Sequence, residues 1–132
     1  MTFHSQYKYL IMSHDLVAYK TLGQLLAKPD LAVEEMAAQY ITGLMQALKV
    51  IATRKKHTNT LSHIQGYFSH QLTAEQRQEL CQQIESYRLG LVPLMVPLAL
   101  IQHYLLQFPK KYLAQQVYLN PYPASLKLRY GY

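Results

Sequence analysis

Apolar residues recur along the chain at spacings of three and four, and no stretch alternates with a period of two for long enough to make a strand. The pattern predicts an all-α fold, a single compact domain over residues 1–132 with about six or seven helices. An N-terminal segment, "SQYKYLIM", leads to Ser13-His14-Asp15, an N-cap for a helix running to Ala27. Pro29 and Asp30 punctuate. Asp30 is placed to cap a second long helix through Val50, with Glu34 and Glu35 in the first turn, where the dipole favours them. Met36, Tyr40, Leu44 and Ala47 give that helix an apolar stripe. Thr53 opens a third long helix, and Thr73 with Gln76 fits a capping box for a fourth that ends before Gly90. The run "VPLMVPLALIQHYLLQF" is apolar nearly all round and predicts a buried central helix. Pro93 suits its first turn; Pro97 either moves the start later or bends it. A last helix is expected from Lys110 to about Leu119, before the prolines of "NPYP".

The third helix, "TRKKHTNTLSHIQGYF", carries the most informative pattern. At 100° per residue, Leu61, Ile64 and Phe68 fall in one narrow sector, with Arg54 and His57 on the same side near the helix start. Lys55, Lys56, Asn59, His63, Gly66, Tyr67 and His70 project together on the other side. From Lys55 to His70 this strip is about 22 Å long at helical rise. An ordinary solvated face would mix Glu with Lys, but no carboxylate lies between Glu35 and Glu75. Lysines neutralise phosphates, Asn and His bond to phosphate, sugar or base edges, and tyrosine offers a stacking plane. Gly66 costs about 1 kcal/mol in a helix interior relative to Ala. It signals either close approach of a ligand backbone or tight packing against another helix.

Charge extends the argument. The net charge is +6, yet residues 1–85 carry eight Lys/Arg against seven Asp/Glu, whereas residues 86–132 carry five basic residues (Arg88, Lys110, Lys111, Lys127, Arg129) and no acidic one. This asymmetry points to a polyanionic partner, nucleic acid before membrane. Near the end Tyr118, Tyr122, Tyr130 and Tyr132 alternate with Lys127 and Arg129, which suits unstacked RNA bases or, equally, anchors the tail. The longest apolar run, Leu89 to Ile101, is too short to span a bilayer, and "MTFHSQYKYL" has no apolar signal core, so no membrane partner and a cytoplasmic location are expected.

Candidate chemistry is sparse. A lone Cys81 cannot make an internal disulfide, a Cys-based zinc site or a cluster, and it is expected to be half-buried and inert. The six histidines lack ligand spacing, with His57 and His63 projecting to different faces. His57 reads as buried or capped and His103 as a satisfied core histidine, while Tyr19, Tyr40 and Tyr104 read as core. No catalytic residue, metal site or cofactor is expected.

The segments "KYLIMSHDLVAYKTLGQLLA", "ATRKKHTNTLSHIQGYF", "YRLGLVPLMVPLALIQHYL" and "QVYLNPYPASLKLR" resemble, in order and across nearly the whole chain, the YbgA-like family, a domain of unknown function. The resemblance implies a helical domain found alone or fused behind a cysteine-rich domain similar to thiouracil desulfidases. Those use an iron–sulfur cluster to remove sulfur; the fused forms act on thiolated uridine in tRNA, with the YbgA-like part as the tRNA-binding module. Carried over by position, the implied binding residues are Arg54, Lys55, Lys56, His57, Asn59 and His63, then Tyr118, Asn120 and Arg129. This chain lacks the cysteine-rich companion, and it has Pro121-Tyr122-Pro123 where the family reads Pro-His-Pro. The expectation is a non-catalytic RNA-binding module, tRNA preferred, working with a separate iron–sulfur desulfidase. Its contacts are Arg54, Lys55, Lys56, His57, Asn59, His63, Tyr67, His70, Lys110, Lys111, Tyr118, Asn120, Lys127 and Arg129. The competing readings are an enzyme that holds a small anion on Lys55 and Lys56 with His57 or His63 as acid–base, and a DNA-repair or protein-interaction accessory.

Overall fold

Helix starts follow local capping chemistry wherever a side chain can reach back to the first turn. The computed structural model describes residues 2–120, and among them there are eight α-helices and no strand. These are α1 (Thr2–Gln6), α2 (Lys8–His14), α3 (Leu16–Leu26), α4 (Val33–Lys49), α5 (Arg54–Phe68), α6 (Ala74–Arg88), α7 (Met95–Gln107) and α8 (Lys111–Ala114). A 3-10 turn, Ser69–Gln71, separates α5 from α6. The number exceeds the expected six or seven because the N-terminal stretch breaks at Tyr7 and Asp15 into three helices.

Asp15 caps α3, its carboxylate accepting from the amides of Val17 (3.1 Å) and Ala18 (3.4 Å). Thr53 caps α5 through the Lys56 amide at 3.2 Å, and Thr73 and Gln76 form the reciprocal capping box of α6. Asp30 does not cap α4: the helix starts at Val33 after Ala32, so Asp30 sits in the preceding turn, out of reach of the free amides. Gly90 ends α6 in the left-handed conformation (φ +80°). There Gly90 N–H donates to Tyr87 O at 2.9 Å and Leu91 N–H to Ser86 O at 2.8 Å, the paired bonds of a Schellman stop. Pro97 moves the start of α7 to Met95, since in the first turn its missing N–H leaves no bond broken.

Two apolar clusters share α2. Tyr9 and Met12 pack with Leu61, Ile64 and Phe68 of α5, Leu80, Ile84 and Tyr87 of α6, and Ile101 and Tyr104 of α7. Ile11, from the same helix, packs with Leu22, Tyr40, Leu44 and Ala47 of α3 and α4. The expectation that α7 is buried all round is corrected. Pro97, Ile101 and Tyr104 are buried, but Met95 (62% exposed), Ala99, His103 and Leu106 (83% exposed) form an open face. His103 is therefore no core histidine; residues at i, i+4, i+8 and i+11 share one side of a helix, and only the other side meets α6 and α5. The last helix is one turn, not the ten residues anticipated, because the chain leaves it to lie against the N-terminal helices.

That return is held by a buried glutamine. Gln116 is fully enclosed; its amide donates to Ser5 O at 2.6 Å, and its carbonyl accepts from the Tyr9 amide at 3.4 Å. Val117 N–H adds a bond to Gln6 O at 3.0 Å. Tyr9 N–H is one of the free first-turn donors of α2, whose N-cap Tyr7 offers no side-chain acceptor, so a residue 107 positions away does the capping. Among the described residues no helix is long and apolar enough to cross a membrane.

Two expected outcomes follow from this packing. Gln116→Leu keeps the volume but removes the acceptor of the buried Tyr9 amide and the donor to Ser5 O, and should lower unfolding free energy by roughly 1–3 kcal/mol in urea denaturation. His4, buried and hydrogen-bonded through Nδ1 to Tyr40 Oη at 2.7 Å, is held by desolvation below its ordinary value of 6.5, and burial does the same to His57. The neutral imidazoles are thus favoured in the folded state. Stability should be full above pH 6.5 and fall as acid protonates the unfolded chain first, a drop that urea midpoints between pH 7.5 and 5 will register.

Candidate nucleic-acid interface

Helix α5 is wedged between α2 and α6 over α7, and the three residues of its apolar stripe, Leu61, Ile64 and Phe68, are 0% exposed. Such a narrow buried sector leaves more than half of the helix circumference for other uses. Lys55, Asn59, Ser62, His63, Gly66 and Tyr67 are all exposed along it, and His70 continues the strip from the 3-10 turn. Among the described residues the one ion pair is Arg88–Glu85, so Lys55 has no carboxylate partner there.

The basic residues at the helix start are not equivalent. Arg54 Nη1 donates to Tyr87 O at 2.7 Å and its guanidinium lies 4.8 Å from the Tyr87 ring. Lys56 Nζ donates to His14 O at 2.8 Å and Ile51 O at 3.0 Å. Each cation therefore sits on a last-turn carbonyl of a neighbouring helix, Arg54 on α6 and Lys56 on α2, where the dipole end is negative. Lys56, expected as a ligand contact, has its ammonium engaged by the His14 and Ile51 backbone carbonyls. His57 is likewise turned inward: its Nδ1 is hydrogen-bonded to Tyr118 Oη at 2.7 Å and its ring lies 5.8 Å from that of Tyr118. Of its two readings, the structure favours the buried one. Tyr118 is 7% exposed, and burial raises its phenol well above the ordinary range, so of its two expected roles, stacking ring or anchor, its position fits the anchor.

Beside Lys55 the surface is concave. Arg54, Lys55, Thr58, Asn59, Ser62 and Arg88 line an open groove of about 640 Å³ between α5 and the end of α6. Its walls combine three cations with the Ser62 hydroxyl and the Asn59 carboxamide, a set that suits oxyanions, while the Thr58 hydroxyl is engaged to Arg54 O at 2.9 Å. Arg54 reaches it with its guanidinium already fixed by Tyr87, and Arg88 is paired with Glu85 on the surface. Neither His57 nor His63 lines this groove.

Elsewhere the expected contacts divide. Lys110 Nζ lies 5.8 Å from the Tyr67 ring, and Tyr67 is itself 5.2 Å from Tyr112, which brings the start of α8 beside the far end of α5; Lys111 is exposed there. Asn120 donates to Ala114 O at 3.1 Å and so closes α8. Tyr122, Lys127, Arg129, Tyr130 and Tyr132 lie outside the described residues. Gly66 is exposed, and a Cβ built on it would meet nothing within 4 Å, so helix packing does not explain it. Cys81 is exposed rather than half-buried, with Gln65 Nε2 donating to Sγ at 3.1 Å.

Sequence reasoning missed Thr58, Ser62 and Arg88. The first two follow Arg54 at intervals of four and were legible as one helix edge; Arg88 was legible as a cation, but its position across from Lys55 depends on how α6 docks.

Comparison with known proteins gives one consistent result. Residues 8–123 match the family model described as "Protein of unknown function (DUF1722)". The chain is 34% identical over 135 residues to "Uncharacterized protein YbgA" of Escherichia coli (strain K12), covering 99% of this chain and 79% of that protein. No solved structure matches.

Because Gly66 stands in open space in the last turn of α5, Gly66→Ala should raise unfolding free energy by roughly 0.5–1 kcal/mol. Chemical denaturation will decide it; a loss of stability would mean that the backbone there demands glycine.

Proposed function

The chain belongs to the DUF1722 family of proteins of unknown function, and from that premise we propose that it is a non-catalytic RNA-binding module whose preferred ligand is tRNA. The observation that carries this reading is the open groove of Arg54, Lys55 and Arg88 with Thr58, Asn59 and Ser62, continued by the exposed ridge of α5. Phosphate contacts supply sequence-independent affinity, and a broad, unenclosed basic surface accommodates a polymer better than a small substrate. The preference for tRNA follows the resemblance of "RKKHTN", "GYF" and "QVYLNPYP" to the YbgA-like family. With Cys81 as their one cysteine, residues 1–132 cannot hold a cluster, and in this reading they present tRNA to a separate iron–sulfur desulfidase.

The structure changes which residues test this. Lys56 must stay, because its ammonium holds the end of α2. Lys55 and Arg88 are exposed, and a surface pair such as Arg88–Glu85 adds little to stability, so Lys55→Ala/Arg88→Ala should fold normally by circular dichroism. Binding of tRNA should weaken steeply with salt in the parent, and in the double variant the slope of log affinity against log salt should flatten by about 2. An unchanged slope with unchanged affinity removes the assignment. Duplex DNA of equal length, as competitor, separates an RNA module from a DNA accessory.

A further inference from the structure

We propose that the tyrosine cluster beside the C-terminal half of α5 is a stacking site for unpaired bases, so that the ligand is single-stranded or looped RNA rather than uninterrupted duplex. The inference deepens the RNA-binding reading and rests on it, but a different set of residues carries it.

Tyr67 is 45% exposed although its ring is fixed from behind: it lies 5.2 Å from Tyr112 at an interplanar angle of 34°. Tyr112 in turn meets the buried Tyr9 edge-on at 6.4 Å, so the outer ring is tied through a middle one to the core. A platform held in this way has little conformational freedom left to lose when a base lands on it. Two ammoniums lie over rings of the cluster. Lys110 Nζ is 5.8 Å from the Tyr67 ring, and Lys8 Nζ is 5.5 Å from Tyr9 and 5.9 Å from Tyr19. Neither lysine has a carboxylate within salt-bridge distance among the described residues. A stacked base brings its own phosphates, and the Lys110 ammonium beside Tyr67 is the charge that would meet them.

The neighbouring helix surface is cut away to match. Gly66 precedes Tyr67 on the ridge, and a Cβ there would meet nothing, so the approach to one edge of the ring is clear. Lys55, in the phosphate groove, is twelve positions before Tyr67, about 18 Å along the helix. A strand fixed by its phosphates at one end of α5 thus has room for several nucleotides before a base reaches the ring. Bases inside a duplex stay stacked on each other and cannot deliver a face to it; loops, bulges and single strands can. A ring packed for stability alone would gain from fuller burial, whereas Tyr67 leaves 45% of its surface in solvent.

The chain has no tryptophan, so Tyr67→Trp places a single tryptophan on the platform, one that can be excited apart from the tyrosines. A short single-stranded oligouridylate should quench its emission, whereas a fully paired RNA duplex of the same length should not. Tyr67→Ala should weaken the single strand roughly 5- to 100-fold, as loss of one stacked base predicts, without changing the salt slope, and Tyr67→Phe should bind as the parent does. If the oligouridylate binds but neither quenches the tryptophan nor distinguishes Tyr67→Ala from the parent, the stacking site is wrong and the phosphate groove stands. Equal quenching by duplex also overturns it. If neither nucleic acid binds at low salt, both readings fail.

Discussion

Burial of Leu61, Ile64 and Phe68 is the contact on which the rest of this protein depends. Three fully enclosed side chains of about 1.5–3 kcal/mol each pin α5 against α2, α6 and α7, using one narrow sector of its surface. Because so little circumference does the holding, Lys55, Asn59, His63 and Tyr67 stay outside, and the helix becomes a ridge. A wider apolar stripe would have sunk α5 into the core and removed both the groove and the ring platform.

The start of that helix shows how the fold divides its cations. Arg54 and Lys56 each cover a terminal carbonyl of an adjacent helix, Tyr87 O of α6 and His14 O of α2, so the positive N-terminal end of α5 lies between two negative C-terminal ends. Satisfying those carbonyls fixes the angle at which the three helices meet, and the same contact orients the Arg54 guanidinium along the wall that Lys55 and Arg88 share. Structural and binding roles are therefore mixed in neighbouring residues of one short basic run. Substituting that run as a block would confuse loss of fold with loss of ligand.

Polar closure at the chain ends works by the same rule. Gln116 serves the first turn of α2 from across the molecule, and Tyr118 gives the half-buried His57 ring a partner. Both tie the segment after α8 to the elements beneath the ridge. This explains why a stretch with the look of an exposed basic–aromatic tail begins, at Tyr118 and Leu119, inside the protein. It also brings Tyr112 under Tyr67, joining the end of the described chain to the face of α5.

What the amino-acid order alone determined is whatever rests on neighbours a few positions apart. That covers the all-α class, the caps at Asp15, Thr53 and Thr73, the stop at Gly90, and the apolar stripe that turns Lys55, Asn59 and Gly66 outward. Asp30 misled because two further turn residues before Val33 put it out of reach, a matter of backbone path that composition does not encode. Tertiary structure decided which cations are free, since the carbonyls that engage Arg54 and Lys56 lie 33 and 42 positions away. It decided too that Tyr118 is covered and Tyr67 is not, and that Arg88 faces Lys55. Periodicity reports the face of a helix on which a side chain emerges; only the docking of other helices says what that face meets.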